Sequence, residues 1–395
     1  MSRPALGLAV LLAACSLVAL AHGSPPGAPI SVPEKQWIPL LLPPEGKGLA
    51  RLGKHVTPAF SPLTNRIYFT GGDYVGQSYR QETWSLDIAE RWQDRPNPAA
   101  GWRLEYPYCG PTGAPQPKGP DFVGWTWDLK RNVFWMVPGV MQPHGQYGPL
   151  CPGARAGYYG DEDGTQGPKL LFRHIMTFDP LTGSWADYDK NINGTGSDTW
   201  YSVYDPVTDT LIRPSPNSTM GIYAIEAKKW RNYPLGKNAA GLSPQVGRVH
   251  YATDYEKRRI FMIDPIRGRL HRWNMDAHTL SDLGPIPGGP ITGSSVIADK
   301  GYCVWDSNAK VLIHYRYLRG GVFVYHPDET PPRWETTNYP LSADAPGGLQ
   351  VHWNGAAFDP VNNVLIGIGD TNYLWIFRYG SVTKPALRCL CANAS

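Results

Sequence analysis

Charged residues and long apolar runs are both scarce in this chain of 395 residues. Asp, Glu, Lys and Arg make up 18% of it, the net charge is +4, and no run of Lys and Arg marks a surface for nucleic acid or an anionic membrane. Beyond residue 23, no segment is apolar over the roughly 20 residues that a membrane-spanning helix needs. The sequence therefore argues against a nucleic-acid partner and against a transmembrane segment in the mature protein.

Several enzyme signatures are absent as well. The chain has no G-x-S-x-G nucleophile elbow, no H-E-x-x-H zinc motif and no Walker phosphate loop. It also has no long amphipathic stretch with helical spacing. Instead it has 43 Gly and 39 Pro, which interrupt helices, and 12% aromatic residues, which suit the pleated surface of a sheet. This composition predicts an all-β protein.

The first 23 residues have the pattern of an export signal. Arg3 is their only charged residue, an apolar run covers 5–20, and small residues flank a cleavage position at 21–23. We expect a signal peptide over 1–23 and a linker over 24–32, and hence a secreted or periplasmic protein.

A lipid anchor is the alternative to free export. Residues 12–15 resemble a bacterial lipoprotein box, in which Cys15 would be acylated, although the apolar run continues beyond that cysteine. Three N-x-S/T sequons would be used only in a eukaryotic secretory pathway. They begin at Asn193, Asn217 and Asn393.

One motif recurs along the rest of the chain: an apolar strand, a tight turn led by Asp or Ser, and a second apolar strand. The stretch TWYSVYDPVTDTLI at 199–212 is typical, because Asp and Pro favour such turns. The last three intervals between turns are about 50 residues each, which is typical of propeller blades. Six copies align on the turn residues Ser61, Asp128, Asp205, Asp254, Asp306 and Asp359.

A second hairpin follows each of these, and its outer strand tends to open with tryptophan. The sixth copy has no outer strand of its own, but the segment KQWIPLLLP around Trp37 matches KKWRNYPLG around Trp230. The N-terminal segment is therefore predicted to supply the sixth outer strand, which closes the ring and protects two sheet edges. The predicted fold is a six-bladed β-propeller of four-stranded blades over 33–380, followed by a C-terminal tail over 381–395.

The first blade reads GGDYVGQSYRQETWSLDIAERW, with Gly71 and Gly72 followed by Trp84 and Trp92. This stretch resembles a kelch motif of the galactose-oxidase-like propeller superfamily. The resemblance implies the propeller fold for nearly the whole mature chain, although the later copies lack the double glycine. It does not imply one function, because the superfamily contains both enzymes and binding scaffolds.

The copper radical oxidases of that superfamily use a Tyr crosslinked to a Cys, together with a paired-His ligand set. This chain has no His-His dipeptide. Tyr302 and Cys303 are adjacent in the sequence and are expected on one strand, where their side chains would point to opposite faces of the sheet. These departures argue against a copper oxidase.

Because the strands of a blade alternate in direction, the two faces of the predicted ring differ. One face, here named the Asp-turn face, carries the short turns. The other, the loop-rich face, carries the links between blades and the long segment 139–169, and long loops on a rigid scaffold are the usual place for binding. Cys109 and Cys151 lie in two of its loops and are predicted to form a disulfide, whereas Cys303 is predicted to be a buried thiol.

The inner strands enter the channel from the loop-rich face, so their first residues should surround its mouth. Counting seven residues back from each turn residue gives these first residues, and the next one or two positions lie slightly deeper. Converging carboxylates, imidazoles and cations can bind a polar ligand such as a sugar acid, hold a metal, or act as general acid and base. Candidate catalytic residues are Asp198, His352, Asp121 and His55, and candidate ligand-binding residues are Lys54, Arg248, His250, Asp299 and Asn354.

The sequence leaves two further interpretations of these polar residues open. They could line a wet channel and pair among themselves. Alternatively, the protein is a non-catalytic extracytoplasmic scaffold that binds a protein or glycan with its loop-rich face. The spacing names neither a cofactor nor a metal, and it does not say which side chains touch.

Overall fold

Strands account for nearly all regular structure in the computed structural model of the chain. Of residues 351–354 it describes the backbone alone. The described residues are 30–43, 58–70, 82–107, 124–137, 175–189, 201–215, 219–236, 249–290, 301–316, 321–337, 339, 351–369 and 373–381.

The described strands form six antiparallel sheets of four strands, each a blade of a ring. The first described strand is β1 (Trp37–Leu41). Blade 1 follows it and contains β2 (Ala59–Ser61), β3 (Arg66–Thr70), β4 (Thr83–Leu86) and β5 (Trp102–Tyr106). Blade 2 contains β6 (Gly124–Asp128), β7 (Val133–Val137), β8 (Ile175–Asp179) and β9 (Ser184–Asp189). Blade 3 contains β10 (Val203–Asp205), β11 (Thr210–Ser215), β12 (Thr219–Ala224) and β13 (Lys229–Pro234).

The second half of the chain repeats this order and ends by joining β1. Blade 4 contains β14 (His250–Asp254), β15 (Arg259–Asp264), β16 (Arg269–Asn274) and β17 (Thr279–Pro285). Blade 5 contains β18 (Gly301–Asp306), β19 (Val311–Arg316), β20 (Gly321–His326) and β21 (Arg333–Thr337). Blade 6 contains β22 (Val351–Asp359), β23 (Val364–Gly369), β24 (Tyr373–Phe377) and, as its outer strand, β1. The six-bladed propeller predicted from the repeat is confirmed.

In each inner hairpin the side chain of the turn residue accepts at least one backbone N–H of its own turn. At Asp359, which is 1% exposed, the carboxylate accepts the backbone N–H groups of Val361 and Asn362. Because buried N–H groups need a partner, a short oxygen-bearing side chain suits this position. The residue four positions after each turn residue is left-handed, with φ between 50° and 57°, at Asn65, Asn132, Asp209, Arg258, Lys310 and Asn363.

The burial of one turn carboxylate makes stability depend on pH. Asp306 is 1% exposed, and among the described residues its carboxylate accepts from two backbone N–H groups, those of Asn308 at 2.9 Å and Ala309 at 2.8 Å. Burial raises its pKa to about 6, and the two hydrogen bonds oppose that rise only in part. An unfolded Asp loses its proton near pH 4. This residue therefore makes the free energy of unfolding fall as the pH rises from about 4 to about 6.

The variant Asp306→Asn should therefore remove this pH dependence. Its amide oxygen can accept the same two N–H groups without carrying charge, so we expect it to melt above the wild type at pH 7 and close to it at pH 4. Thermal melts across that range measure the difference. Asp205→Asn is the matched control: hydrogen bonds from Arg258 and Thr208 outweigh burial and lower the pKa of Asp205, so its neutralisation should destabilise at pH 7. Equal melting of Asp306→Asn and wild type at every pH would contradict the expectation.

The apolar core is divided among the contacts between blades. The buried apolar residues that the structure describes form six clusters, and each joins two neighbouring blades. Between blades 1 and 2, for example, the ring centroid of Phe134 lies 4.8 Å from that of Tyr68 and 4.7 Å from that of Trp125, which stacks on it. Each blade is thus stabilised by both neighbours, and the ring has to close for all six clusters to be complete.

Closure by the N-terminal strand is confirmed. In β1, Trp37 lies opposite Phe377 of β24, just as Trp230 lies opposite Tyr223 in blade 3. Lys35, two residues before Trp37, and Lys228, two before Trp230, are both left-handed. The match between the two segments in the sequence therefore reflects a shared place in the blade.

Two arginines hold the two ends of the closing segment. Arg378 donates to the carbonyl oxygens of Ile30 and Val32, ahead of β1. At the far end, Arg91, which is fully buried, donates to the carbonyl of Leu41 at 2.9 Å. The closing strand is therefore tied both to its own blade and to blade 1.

Arg91 belongs to a short helix, α1 (Ile88–Gln93), which the sequence did not predict. Asp87 caps it by accepting the N–H groups of Ala89 and Glu90. Trp92 lies in this helix, and the outer strand β5 begins at Trp102. The spacing that resembles a kelch motif therefore places Trp92 before the outer strand, and the double glycine lies outside the described residues. No helix in the described ranges is long and apolar enough to span a membrane.

Ion pairs join neighbouring blades on the Asp-turn face. Arg258 of blade 4 donates to both carboxylate oxygens of Asp205 in blade 3, at 2.7 and 2.9 Å. Arg131 of blade 2 holds both oxygens of Asp209 in the same way, at 2.6 and 2.8 Å. These ion pairs tie blade 3 to both of its neighbours, which is a structural role.

Candidate functional site

Among the sequence-predicted site residues, His250 alone lies where the structure describes the side chain. His352 and Asn354 lie in the inner strand β22, at positions where the backbone alone is described, so their proposed roles remain predictions. The other predicted residues remain predictions because they lie outside the described residues: Lys54, His55, Cys109, Asp121, Cys151, Asp198, Arg248 and Asp299.

His250 opens β14 at the loop-rich end of blade 4, and its side chain meets blade 5. Its Nδ1 lies 3.3 Å from Nε2 of His314, which is on the second strand, β19. The ring also lies against Gly301, where an ideal Cβ would come 2.7 Å from Cε1 of His250. The glycine at the start of β18 therefore makes room for the imidazole.

Arg316 ends β19 at the same face. It is fully buried, and its Nη1 donates to the carbonyl oxygens of Pro287 at 3.0 Å and Gly289 at 2.8 Å. Those carbonyls belong to the link that connects blade 4 with blade 5. The guanidinium is thus held in place beside the histidine pair.

These three side chains, His250, His314 and Arg316, are named the His–Arg cluster below. Burial, and after it the charge of Arg316, lowers the pKa of His250 to about 3. Burial likewise holds the pKa of His314 well below its usual value, with His250 and Arg316 as further causes. At neutral pH the cluster therefore contains two neutral imidazoles and one guanidinium cation.

The cluster offers N–H donors and one positive charge, which suits an oxygen-rich or anionic ligand. Neutral imidazoles are also the form that binds metals. However, the described residues contain no group of three or more His, Cys, Asp or Glu side chains arranged to hold a metal ion. The N–H donors and the guanidinium cation of the cluster match a ligand that accepts hydrogen bonds.

Sequence reasoning missed His314 and Arg316 because both lie on a second strand, whereas the search followed the inner strands. One signal was present. Eight residues after the turn residue, where His314 stands, blade 2 has Met136 and blade 4 has Met262, both fully buried. Blade 3 has the buried Arg213 at this position, so a polar residue there is not unique to blade 5, but no other blade has a histidine there.

The neighbours Tyr302 and Cys303 behave as predicted. Tyr302 stacks on Tyr315 in the cluster between blades 5 and 6, whereas Cys303 packs in the cluster between blades 4 and 5. Cys303 is a buried free thiol, and burial raises its pKa well above its usual value. The predicted opposite orientation and the buried thiol are confirmed. The predicted disulfide between Cys109 and Cys151 lies outside the described residues.

A second polar cluster surrounds Glu335 of β21. Its carboxylate accepts from Tyr379 at 2.7 Å and Tyr339 at 2.8 Å, and it lies 3.2 Å from Nε2 of His326 and 3.4 Å from Nζ of Lys35. Burial opposes its ionisation, but the hydrogen bonds from Tyr379, Tyr339 and His326 prevail and lower its pKa to about 2. This permanent anion ties blade 5 to the closing segment, so its role is structural.

Comparison with known proteins leaves function open. No family model matches the chain, and no curated protein matches it. A streptogramin B lyase structure is 12% identical over 86% of this chain and 96% of that chain, with a TM-score of 0.46. An auxiliary nutrient binding protein from Bacteroides thetaiotaomicron is 9% identical over 82% of this chain and 69% of that one, with a TM-score of 0.47. A nidogen/laminin complex is 10% identical over 73% of this chain and 88% of that chain, with a TM-score of 0.40.

At this level of likeness the comparisons carry no argument about activity, and the kelch resemblance of blade 1 remains a resemblance. The strand topology itself shows the architecture. The chain is a six-bladed β-propeller closed by its N-terminal strand.

Proposed function

We propose that this propeller binds a small polar ligand, a carbohydrate or a sugar acid, at the loop-rich mouth of its channel. The His–Arg cluster carries the proposal. It lies at the loop-rich ends of two neighbouring blades, one of its members opens an inner strand, and two of its members are fully buried.

Burying these groups is costly, and the other blades have no histidine at the positions of His250 and His314. A polar group in a protein interior loses its hydration, so buried polar groups normally have a hydrogen-bond partner. Those that lack one often serve a function. The positions equivalent to His250, four residues before the turn, hold no histidine in the other five blades: they are Thr57, Gly124, Tyr201, Tyr302 and Gly355. Departures from the local packing rule are expected at functional sites.

The sequence predictions extend this site around the mouth. Lys54, Arg248, Asp299 and Asn354 are proposed to bind the ligand together with His250. In its finer form the proposal includes catalysis, with a carboxylate and an imidazole as general acid and base. The proposed groups for that role are Asp198, His352, Asp121 and His55. Export to the periplasm or the medium, and a disulfide between Cys109 and Cys151, are proposed as the setting in which the site works.

Titration of the purified protein with neutral hexoses and their uronic acids tests the proposal. We expect at least one sugar to bind the wild type. Asp198→Ala and His352→Ala should each weaken that binding about tenfold or more, because each removes a charged or hydrogen-bonding partner. Isothermal titration calorimetry measures the affinities, and product analysis after long incubation tests turnover.

Lys310→Ala is the matched control. Lys310 is half exposed and pairs with Glu256 on the Asp-turn face, at 2.9 Å, so its loss should leave binding unchanged. Unchanged melting curves would show that the two mouth variants fold. No binding by any sugar of the panel, or equal binding by all variants, would sink the proposal and leave the non-catalytic scaffold as the better interpretation.

A further inference from the structure

The contact between His250 and His314 joins two ring nitrogens, Nδ1 and Nε2, at 3.3 Å. Because both imidazoles are neutral, one of these nitrogens carries the hydrogen and the other accepts it. The two possible directions have opposite consequences. If His314 donates, His250 keeps its own hydrogen on Nε2; if His250 donates, its Nε2 is bare and can act as a base.

The far nitrogen of His314 distinguishes the two directions. Its Nδ1 is sealed from solvent and has no hydrogen-bond partner among the described residues. If His314 donates through Nε2, this sealed atom is a bare lone pair. If His314 accepts, the sealed atom is an N–H group without an acceptor. Buried N–H groups without a partner are the rarer of the two defects in proteins.

His250 is placed differently. It keeps 4% of its surface exposed, and its Nε2 is not one of the sealed nitrogens without a partner in the described part of the chain. A hydrogen on this atom therefore reaches either solvent or a hydrogen-bond acceptor. The same hydrogen placed on Nδ1 of His314 would have no such outlet.

We infer that His314 is a positioning residue: it donates its Nε2–H to Nδ1 of His250 and so makes His250 present an N–H group to the ligand. This inference rests on the proposed function for the identity of the site. The ligand group that meets His250 is then a hydrogen-bond acceptor, such as a carboxylate or hydroxyl oxygen. Because the cation of Arg316 acts on both histidines, the site should prefer a uronic acid to an amino sugar.

Nitrogen NMR of the protein without ligand tests the hydrogen positions. The protein is labelled with ¹⁵N-histidine, and the two residues are assigned with the variants His250→Gln and His314→Gln. We expect both histidines to be neutral with the hydrogen on Nε2, and a coupling through the hydrogen bond between Nε2 of His314 and Nδ1 of His250. A hydrogen on Nδ1 of His314, or an imidazolium at neutral pH, would overturn the inference.

A binding experiment tests the consequence. His314→Leu removes the donor, and glucuronate affinity should fall about tenfold, whereas His314→Gln, whose amide can donate, should fall less. The wild type should bind glucuronate in preference to glucosamine. Equal loss in both variants, with melting curves like the wild type's, would count against a positioning role.

The two experiments separate the two proposals. If the NMR shows the expected hydrogens and no sugar binds, the proposed function fails while the assigned hydrogen bond stands. If sugars bind and the hydrogen bond runs the other way, the site stands and His250 is its base.

Discussion

Replacing Trp37 by alanine should lower the free energy of unfolding by about 3–5 kcal/mol, the usual cost of truncating a fully buried aromatic side chain. Trp37 is 1% exposed, stacks on Phe377 at 4.7 Å and meets the edge of Tyr315 at 6.4 Å. It therefore belongs to the contact between blades 5 and 6 as well as to the strand that closes the ring. Its loss should leave a cavity at the seam of the propeller and weaken the pairing of β1 with β24.

Equilibrium unfolding in urea, followed by tryptophan fluorescence and circular dichroism, measures this loss. Leu41→Ala is the matched control, because Leu41 lies on the same strand and is 48% exposed, so its truncation should change stability little. If the two variants were equally stable, the N-terminal strand would not be the closure that the topology indicates.

The second large effect is expected at an ion pair between blades. Arg258→Ala should cost about 3–5 kcal/mol, because removing one partner of a buried pair leaves the other as an uncompensated charge. Asp205 is 1% exposed, and both of its oxygens accept from Arg258 across the boundary between blades 3 and 4. Thr208 and the N–H of Val207 remain as partners but carry no charge.

A neighbouring carboxylate supplies the matched control. Asp276 pairs with the same arginine at 2.6 Å but is 64% exposed, so Asp276→Ala should cost no more than about 1 kcal/mol. Urea unfolding at pH 7 compares the two variants. A loss in Arg258→Ala as small as that in Asp276→Ala would show that the buried pair contributes little.

The pH dependence of the stability of the same variants provides a second test of the buried ion pair. The net effect of the partners of Asp205 is to lower its pKa, so the pair stabilises the fold above about pH 4 and the contribution is lost as the pH falls through the lowered value. Without Arg258, the buried carboxyl should take up its proton more readily. The stability gap between Arg258→Ala and wild type should therefore narrow on acidification.

These effects bear on function because they concern the rigidity of the ring that carries the site. His250 belongs to blade 4, and His314 and Arg316 to blade 5, so the His–Arg cluster exists only while the two blades are packed together. Damage at the closing strand should therefore reach the site indirectly. Binding losses in any variant should be compared at equal folded fraction.

Much of the fold could be predicted because its rules are local. An Asp or Ser that accepts the N–H groups of its own turn, followed four residues later by a left-handed residue, is a short-range pattern, and it recurs in six places. The closing strand could be predicted for the same reason, since Trp37 and Trp230 occupy equivalent positions in two copies of one unit. The helix that carries Arg91 was missed because six residues show no clear helical period.

The candidate site depended on contacts that no local pattern contains. His250 and His314 are 64 residues apart in the chain and meet because blades 4 and 5 pack face to face. The repeat locates the mouth and the strand on which His250 begins, but the partner on β19 and the carbonyls that hold Arg316 follow from the geometry between blades. The order of the strands is thus determined by short-range turn chemistry and by the spacing of the repeat. The contacts between functional side chains depend on long-range packing between blades.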